Sequence, residues 1–181
     1  MQANFILSLL FLFLVAGPAA AQIEWHPYAG LFTGDRSVRR VTGNDAVVVY
    51  EGQRTALGLE AQFGAGQLTP FGGLLYRPGA YRTGSDAGFD FHRLHLPVGL
   101  GYRLLSPQFD INLFPSAAVV PGLPFGDATE GERVGWSGRF GLGLYLDWFT
   151  LSAYYWHDFT EPLGGELPAG TRTLLTVGAR F

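Results

Sequence analysis

The chain has no cysteine and no lysine, so all twelve of its basic residues are arginine. Without Cys there is no disulfide framework and no thiolate metal site. Charge is sparse at 15%, and the formal net charge is −3, which argues against nucleic acid as a partner. Beyond the first twenty residues or so, no run of about 18 apolar residues occurs, so no later segment has the length of a transmembrane helix. Yet 48% of the chain is hydrophobic. That content has to be spread through short or alternating segments. What is abundant is glycine, at 26 residues, and aromatic side chains, at 15%.

The N-terminus holds the one long apolar run. Phe5 to Val15 is followed by Gly17-Pro18 and then Ala19-Ala20-Ala21. A short hydrophobic stretch, a helix breaker and an A-x-A site have the layout of a secretory signal peptide. The expectation is a signal peptide over residues 1–21, cleaved after Ala21, and a single mature domain over 22–181. No basic residue precedes the run, and no Cys follows the cleavage site, so a lipoprotein is excluded.

The rest of the chain reads as eight strands. They run over about Glu24–Thr33, Arg54–Phe63, Leu68–Arg77, Phe91–Leu104, Gln108–Val120, Val134–Leu146, Phe149–Phe159 and Thr171–Phe181. Each is near or above the roughly 9–11 residues that a tilted strand needs to cross a bilayer. Successive side chains of a strand point to opposite faces. In the second, Leu57, Leu59, Ala61 and Phe63 oppose Ala56, Gly58, Glu60 and Gln62. In the fourth, Leu94, Leu96, Val98, Leu100 and Tyr102 oppose His95, Pro97, Gly99, Gly101 and Arg103. In the sixth, Trp136, Phe140, Leu142, Leu144 and Leu146 oppose Ser137, Arg139, Gly141, Gly143 and Tyr145. In the last, Thr173, Leu175, Val177, Ala179 and Phe181 oppose Arg172, Leu174, Thr176, Gly178 and Arg180. The small, polar or charged faces suit the crowded interior of a narrow barrel. The first, third, fifth and seventh segments leave their register open.

The links alternate in length. Those near 34–53, 78–90, 121–133 and 160–170 are long, and those at 64–67, 105–107 and 147–148 are tight. Outer-membrane barrels have short periplasmic turns and long extracellular loops. Aromatics gather at strand ends, as interfacial girdles would. Trp25, Phe63, Phe71, Tyr102, Phe109, Tyr145, Trp148 and Phe181 stand at the short-turn end. Phe32, Tyr76, Phe91, Trp136, Trp156 and Phe159 stand at the other. Four prolines lie within the segments. Pro27 and Pro70 fit strand starts, while Pro97 and Pro115 imply a bulge or a missing ladder bond.

His92-Arg93-Leu94-His95-Leu96-Pro97-Val98-Gly99-Leu100-Gly101-Tyr102 resembles the fourth-strand pattern of the small "outer membrane protein beta-barrel domain" family. Gly138–Trp148, Phe149–Tyr155 and Thr171–Phe181 are similar to its last three strands, and the resemblance covers most of residues 23–181. It implies a Gram-negative outer-membrane barrel, with outer-membrane lipid around it. It also implies periplasmic chaperones and a barrel-insertion machinery as partners during biogenesis, with Phe181 as the terminal aromatic that the machinery reads. The family implies no catalytic residues and no cofactor.

Candidate chemistry is thin. Lipid A deacylases are eight-stranded barrels with a Ser two residues after a late-strand His. Here Phe159 follows His157 at that place, so no hydroxyl is available as nucleophile. His92 and His95 fall on opposite faces of one strand, and His26 is isolated, so no metal site is expected. Glu60, Arg103, Arg139, Arg172 and Arg180, with Asp110 less clearly, fall on inward faces. Charges in a barrel surrounded by lipid have to pair, which suggests a plug of ion pairs across the lumen, with a narrow ion path as the sharper alternative. The acidic loop residues Asp127, Glu130, Glu132, Asp158, Glu161 and Glu166 read as solvated.

The expectation is therefore an all-β, eight-stranded antiparallel transmembrane barrel without enzymatic activity, serving a structural, surface-interaction or assembly role. A lipid-modifying barrel enzyme would need a nucleophile and a His together at a lipid-facing height. An exported lipocalin-like barrel would need its apolar faces inward.

Overall fold

The computed structural model describes residues 22–33, 37–41, 47–52, 54–82, 88–106, 109–125, 134–160 and 170–181. The signal-peptide segment lies outside them, as do the acidic residues Asp127, Glu130, Glu132, Glu161 and Glu166. The described residues form strands only: β1 (Ile23–Thr33), β2 (Ser37–Val41), β3 (Val47–Gly52), β4 (Thr55–Phe63), β5 (Leu68–Arg77), β6 (Ala80–Arg82), β7 (Gly88–Asp90), β8 (His92–His95), β9 (Val98–Tyr102), β10 (Ile111–Phe125), β11 (Gly135–Leu146), β12 (Phe149–Asp158) and β13 (Thr171–Ala179).

Nine of these strands form one antiparallel sheet. β8 and β9 share the neighbours β5 and β10, so they are two halves of one stave, and the sheet has eight staves. It runs β11-β12-β13-β1-β4-β5-(β8, β9)-β10 and closes through β10 and β11. Closure leaves no sheet edge around the barrel wall, as a bilayer requires. The chain ends seal the seam. The Trp25 amide donates to the Phe181 carbonyl and the Phe181 amide to the Trp25 carbonyl, both at 3.0 Å. The tight links turn where local chemistry allows. Gly64 takes a φ of 95°, which a side chain would disfavour. Asp147 takes a φ of 51° in the two-residue link to β12, a conformation that Asp tolerates better than most residues. At the middle of the three tight links, the Asn112 side chain accepts from the Leu105 amide (3.2 Å) and donates to the Leu105 carbonyl (3.0 Å).

The pleat decides what faces out. Leu74 is 47% exposed while Leu75 is fully buried. The same switch fixes the registers that the sequence leaves open. β1 turns His26, Gly30 and Phe32 inward, and β5 turns Thr69, Phe71, Leu75 and Arg77 inward. β10 turns Asn112, Phe114, Ala118 and Val120 inward, and β12 turns Thr150, Tyr154, Trp156 and Asp158 inward. Outside stands a belt of exposed apolar side chains that includes Leu31, Leu57, Leu100, Val119, Leu142, Leu151, Leu175 and Val177.

Several boundaries differ from the sequence-based expectation. The fifth stave runs to Phe125, not Val120, because its alternation continues through Pro121 and Pro124 opposite β8 and β11. The fourth breaks at Leu96-Pro97, where proline has no amide to give to the ladder. There the Pro97 carbonyl still accepts from Gly73 (2.9 Å), and the Leu96 amide donates to Pro121 (2.9 Å). Pro115 interrupts nothing, and Pro27 sits inside β1 opposite Leu59 rather than at its start. The first and second long links are not plain loops. β2, β3, β6 and β7 pair in that order as a separate four-stranded antiparallel sheet at the long-loop end.

Candidate functional site

The barrel interior is filled, and it is layered. At the short-turn end, Arg103 pairs with Glu24 (2.9 Å) and donates to Gln62 (3.4 Å), whose Nε2 donates to the Tyr145 hydroxyl (2.6 Å). The His26 ring lies 5.3 Å from that of Tyr145, which in turn stacks on Phe114. In the middle, the Arg139 guanidinium grips Glu60 with both terminal nitrogens, at 2.6 and 3.1 Å. A two-point match of this kind is the strong form of the ion pair. Tyr28 donates its hydroxyl to the same carboxylate at 2.9 Å. Arg139 also lies over the Tyr154 ring (4.2 Å) and near Phe71 (5.3 Å), so its flat face is covered as well as its edge.

At the long-loop end, Asp158 is the hub. Ser137 (2.7 Å) and the Trp156 indole (2.8 Å) donate to one of its oxygens, and Arg172 donates to the other. Arg77 lies over Phe32, Arg93 over Phe91, and Trp156 meets Phe32 and His95 edge-on. Every one of these polar side chains except Glu24, which is partly exposed, and the half-buried Tyr28 is buried. Aromatic rings, aliphatic stems and ion pairs together occupy the lumen, as expected of a barrel just wide enough for its own side chains.

Glu60, Arg103, Arg139 and Arg172 therefore all lie inside the barrel, and all four stand in ion pairs, Arg103 with Glu24, Arg139 with Glu60 and Arg172 with Asp158. Arg180 is half-buried at the short-turn mouth, within electrostatic reach of Glu24. Asp110 is not inward: it is exposed in the turn before β10. Arg77, Arg93 and Asp158 complete the interior charge, with the buried His95 ring among them. Asp158, expected as a solvated loop residue, is only 1% exposed. Parity puts Arg77 on the face of Leu75 and Asp158 on that of Trp156, but the register of both strands is open in the sequence, so only the structure places them.

The aromatic girdle needs correction. Trp25, Tyr102 and Trp148 are exposed on the outer wall or its rim, and Phe63 and Trp136 are partly exposed. Trp156 is not a girdle residue. It is fully buried in the lumen, because its strand turns Tyr154, Trp156 and Asp158 inward. Phe32, Phe71, Phe91 and Tyr145 are interior for the same reason.

Among the described residues, His157 meets a hydroxyl, that of Thr171, but the neighbouring acidic residue is turned away from it. His157 faces outward beside Thr171 (3.3 Å) and Phe159, while the neighbouring Asp158 points into the lumen, so the two lie on opposite faces of the wall. No group of three metal-ligating side chains gathers among the described residues.

No protein-family model matches the chain, and no curated protein matches it in sequence. Solved structures do share its fold. Neisserial surface protein A superposes with a TM-score of 0.50 at 13% identity, over 89% of this chain and 97% of that one. The outer membrane protein OprG of Pseudomonas aeruginosa superposes with a TM-score of 0.51 at 13% identity, over 91% of this chain and 97% of that one. At such identity the likeness is one of fold. The chain has the fold of a small outer-membrane β-barrel, and its belt of exposed leucines is the surface that such a barrel turns to lipid.

Proposed function

We propose that the mature chain, freed of residues 1–21, is an integral outer-membrane barrel without enzymatic activity. In this reading it serves as a rigid, sealed scaffold that carries its long loops and the β2-β3-β6-β7 sheet on the cell surface, for a structural or surface-interaction role. The observation that carries this reading is the lumen. Interlocked ion pairs and rings leave it no described solute path, and its charged interior is the reverse of the apolar calyx that a lipocalin-like binder requires. The lipid-modifying alternative has one feature in its favour, the Thr171 hydroxyl 3.3 Å from His157 Nδ1 on the outer wall, but the neighbouring carboxylate that could orient the ring, Asp158, turns into the lumen. Phe181, exposed at the seam beside Trp25, is the proposed element read by the insertion machinery.

The test is fractionation of cells expressing the full chain, with protease added to intact cells. The expected result is a heat-modifiable protein in the outer-membrane fraction, beginning at Gln22 and cut only within its long links. Recovery as a soluble periplasmic protein, or cleavage confined to the short turns, would contradict the proposal.

A further inference from the structure

The lipid-facing wall is not uniformly studded with large side chains. Across β9, β10, β11 and β12 it is dented, with a volume of about 670 Å³. Ala117, Gly141 and Ala153 form the floor, and Leu100, Phe140 and Tyr155 form the walls. The dent comes from small outward side chains set beside large ones: Ala117 stands between Leu100 and Phe140, and Ala153 stands beside Leu142. Phe140 and Tyr155, with ring centroids 4.6 Å apart, form a firm upper side. At the lower rim the Tyr102 hydroxyl donates to Gln67 (3.0 Å), beside the tight turn that follows Phe63.

Position and size narrow the occupant. From the β12 start at Phe149 to Tyr155 is six residues, or about 15 Å of height for a tilted strand, against an apolar band of about 25 Å. The dent therefore covers the depth of one leaflet, from a polar rim to the middle of the bilayer. Hydrocarbon is the solvent at this depth, and the dent is continuous with the surface already given to it. We propose that the dent is a seat for one acyl chain of a phospholipid in the leaflet on the short-turn side, with the headgroup at the level of Tyr102 and Gln67. This inference rests on the membrane reading above.

The test uses the full mature barrel in vesicles that contain a phosphatidylethanolamine with a photoreactive diazirine in one acyl chain. Adducts are mapped by mass spectrometry. The expected result is labelling of Ala117, Phe140 and Ala153 several-fold above equally exposed belt residues such as Leu57, Leu59 and Leu175. The double variant Ala117→Leu/Ala153→Leu fills the dent, and labelling there should fall to the belt average while the barrel stays heat-modifiable. Even labelling around the belt in the wild type overturns the seat but leaves the membrane barrel intact. Concentration-dependent crosslinking of two copies through this wall also overturns it. Absence of label from the whole belt would instead sink the membrane reading itself. If the filled variant does not fold, the wild-type map decides alone.

Discussion

Glu60 and Arg139 show how single residues hold this protein. Each is buried, and neither carboxylate nor guanidinium could stay there without its partner. Breaking a buried pair from one side strands a charge and costs roughly 3–5 kcal/mol, whereas replacing both partners is often close to neutral. Arg139→Met is therefore expected to destabilise the barrel by about that much. Glu60→Gln/Arg139→Met should recover most of the loss, as read from denaturant unfolding in detergent micelles. A double variant no better than the single one would mean that the pair is not coupled. Trp156 supports a second check. With Trp25, Trp136 and Trp148 changed to Phe, the remaining fluorescence should be shielded from both brominated lipid and aqueous iodide, because Trp156 is sealed between Phe32 and His95. The inward placement of Glu60 and Arg139 was legible from parity. Their pairing was not, because they lie 79 residues apart and only barrel closure brings them face to face.

At the next level up, the even-numbered staves declared themselves and the odd ones did not, and the cause is the filling of the lumen. Leu57 and Leu59 oppose Gly58 and Glu60, so hydrophobicity distinguishes the faces of β4. In β10, Ala118 and Val120 inside oppose Ala117 and Val119 outside, and in β12 Tyr154 and Trp156 inside oppose Leu151 and Tyr155 outside. A narrow barrel packs its core with rings and aliphatics, which removes the contrast that periodicity reads. The strands β2, β3, β6 and β7 were missed because they lie in links whose length alone had marked them as loops. Where contrast exists, substitutions should follow it. Arg at Leu100, Leu142 or Leu175 is expected to cost up to roughly 2–4 kcal/mol near the bilayer midplane. Gly141→Ala should also destabilise, although alanine is small, because its methyl group meets the Ala153 carbonyl. Refolding yields into lipid vesicles would check both. Phe181→Asp is expected to lower insertion while export continues, and equal amounts of heat-modifiable barrel in variant and wild type would refute a signalling role for that residue.

As a whole molecule, the protein is inverted relative to a soluble domain: charge and hydrogen bonds occupy its axis, and leucines cover its circumference. Its lumen should be electrically quiet. Reconstituted into planar bilayers, the wild type is expected to show no stable conductance, and steady channels would mean that the ionic layers part. The inversion itself can be measured directly, because the native chain has no Cys to confuse a label. Single cysteines at Leu100, Leu142 and Leu175 are compared with single cysteines at Asn112, Ser152 and Thr176 for reaction with a lipid-soluble thiol probe added to the folded barrel in phospholipid vesicles. The leucine sites should react and the interior sites stay unmodified. Reaction at the interior sites with none at the leucines would turn the barrel inside out and contradict a membrane protein altogether.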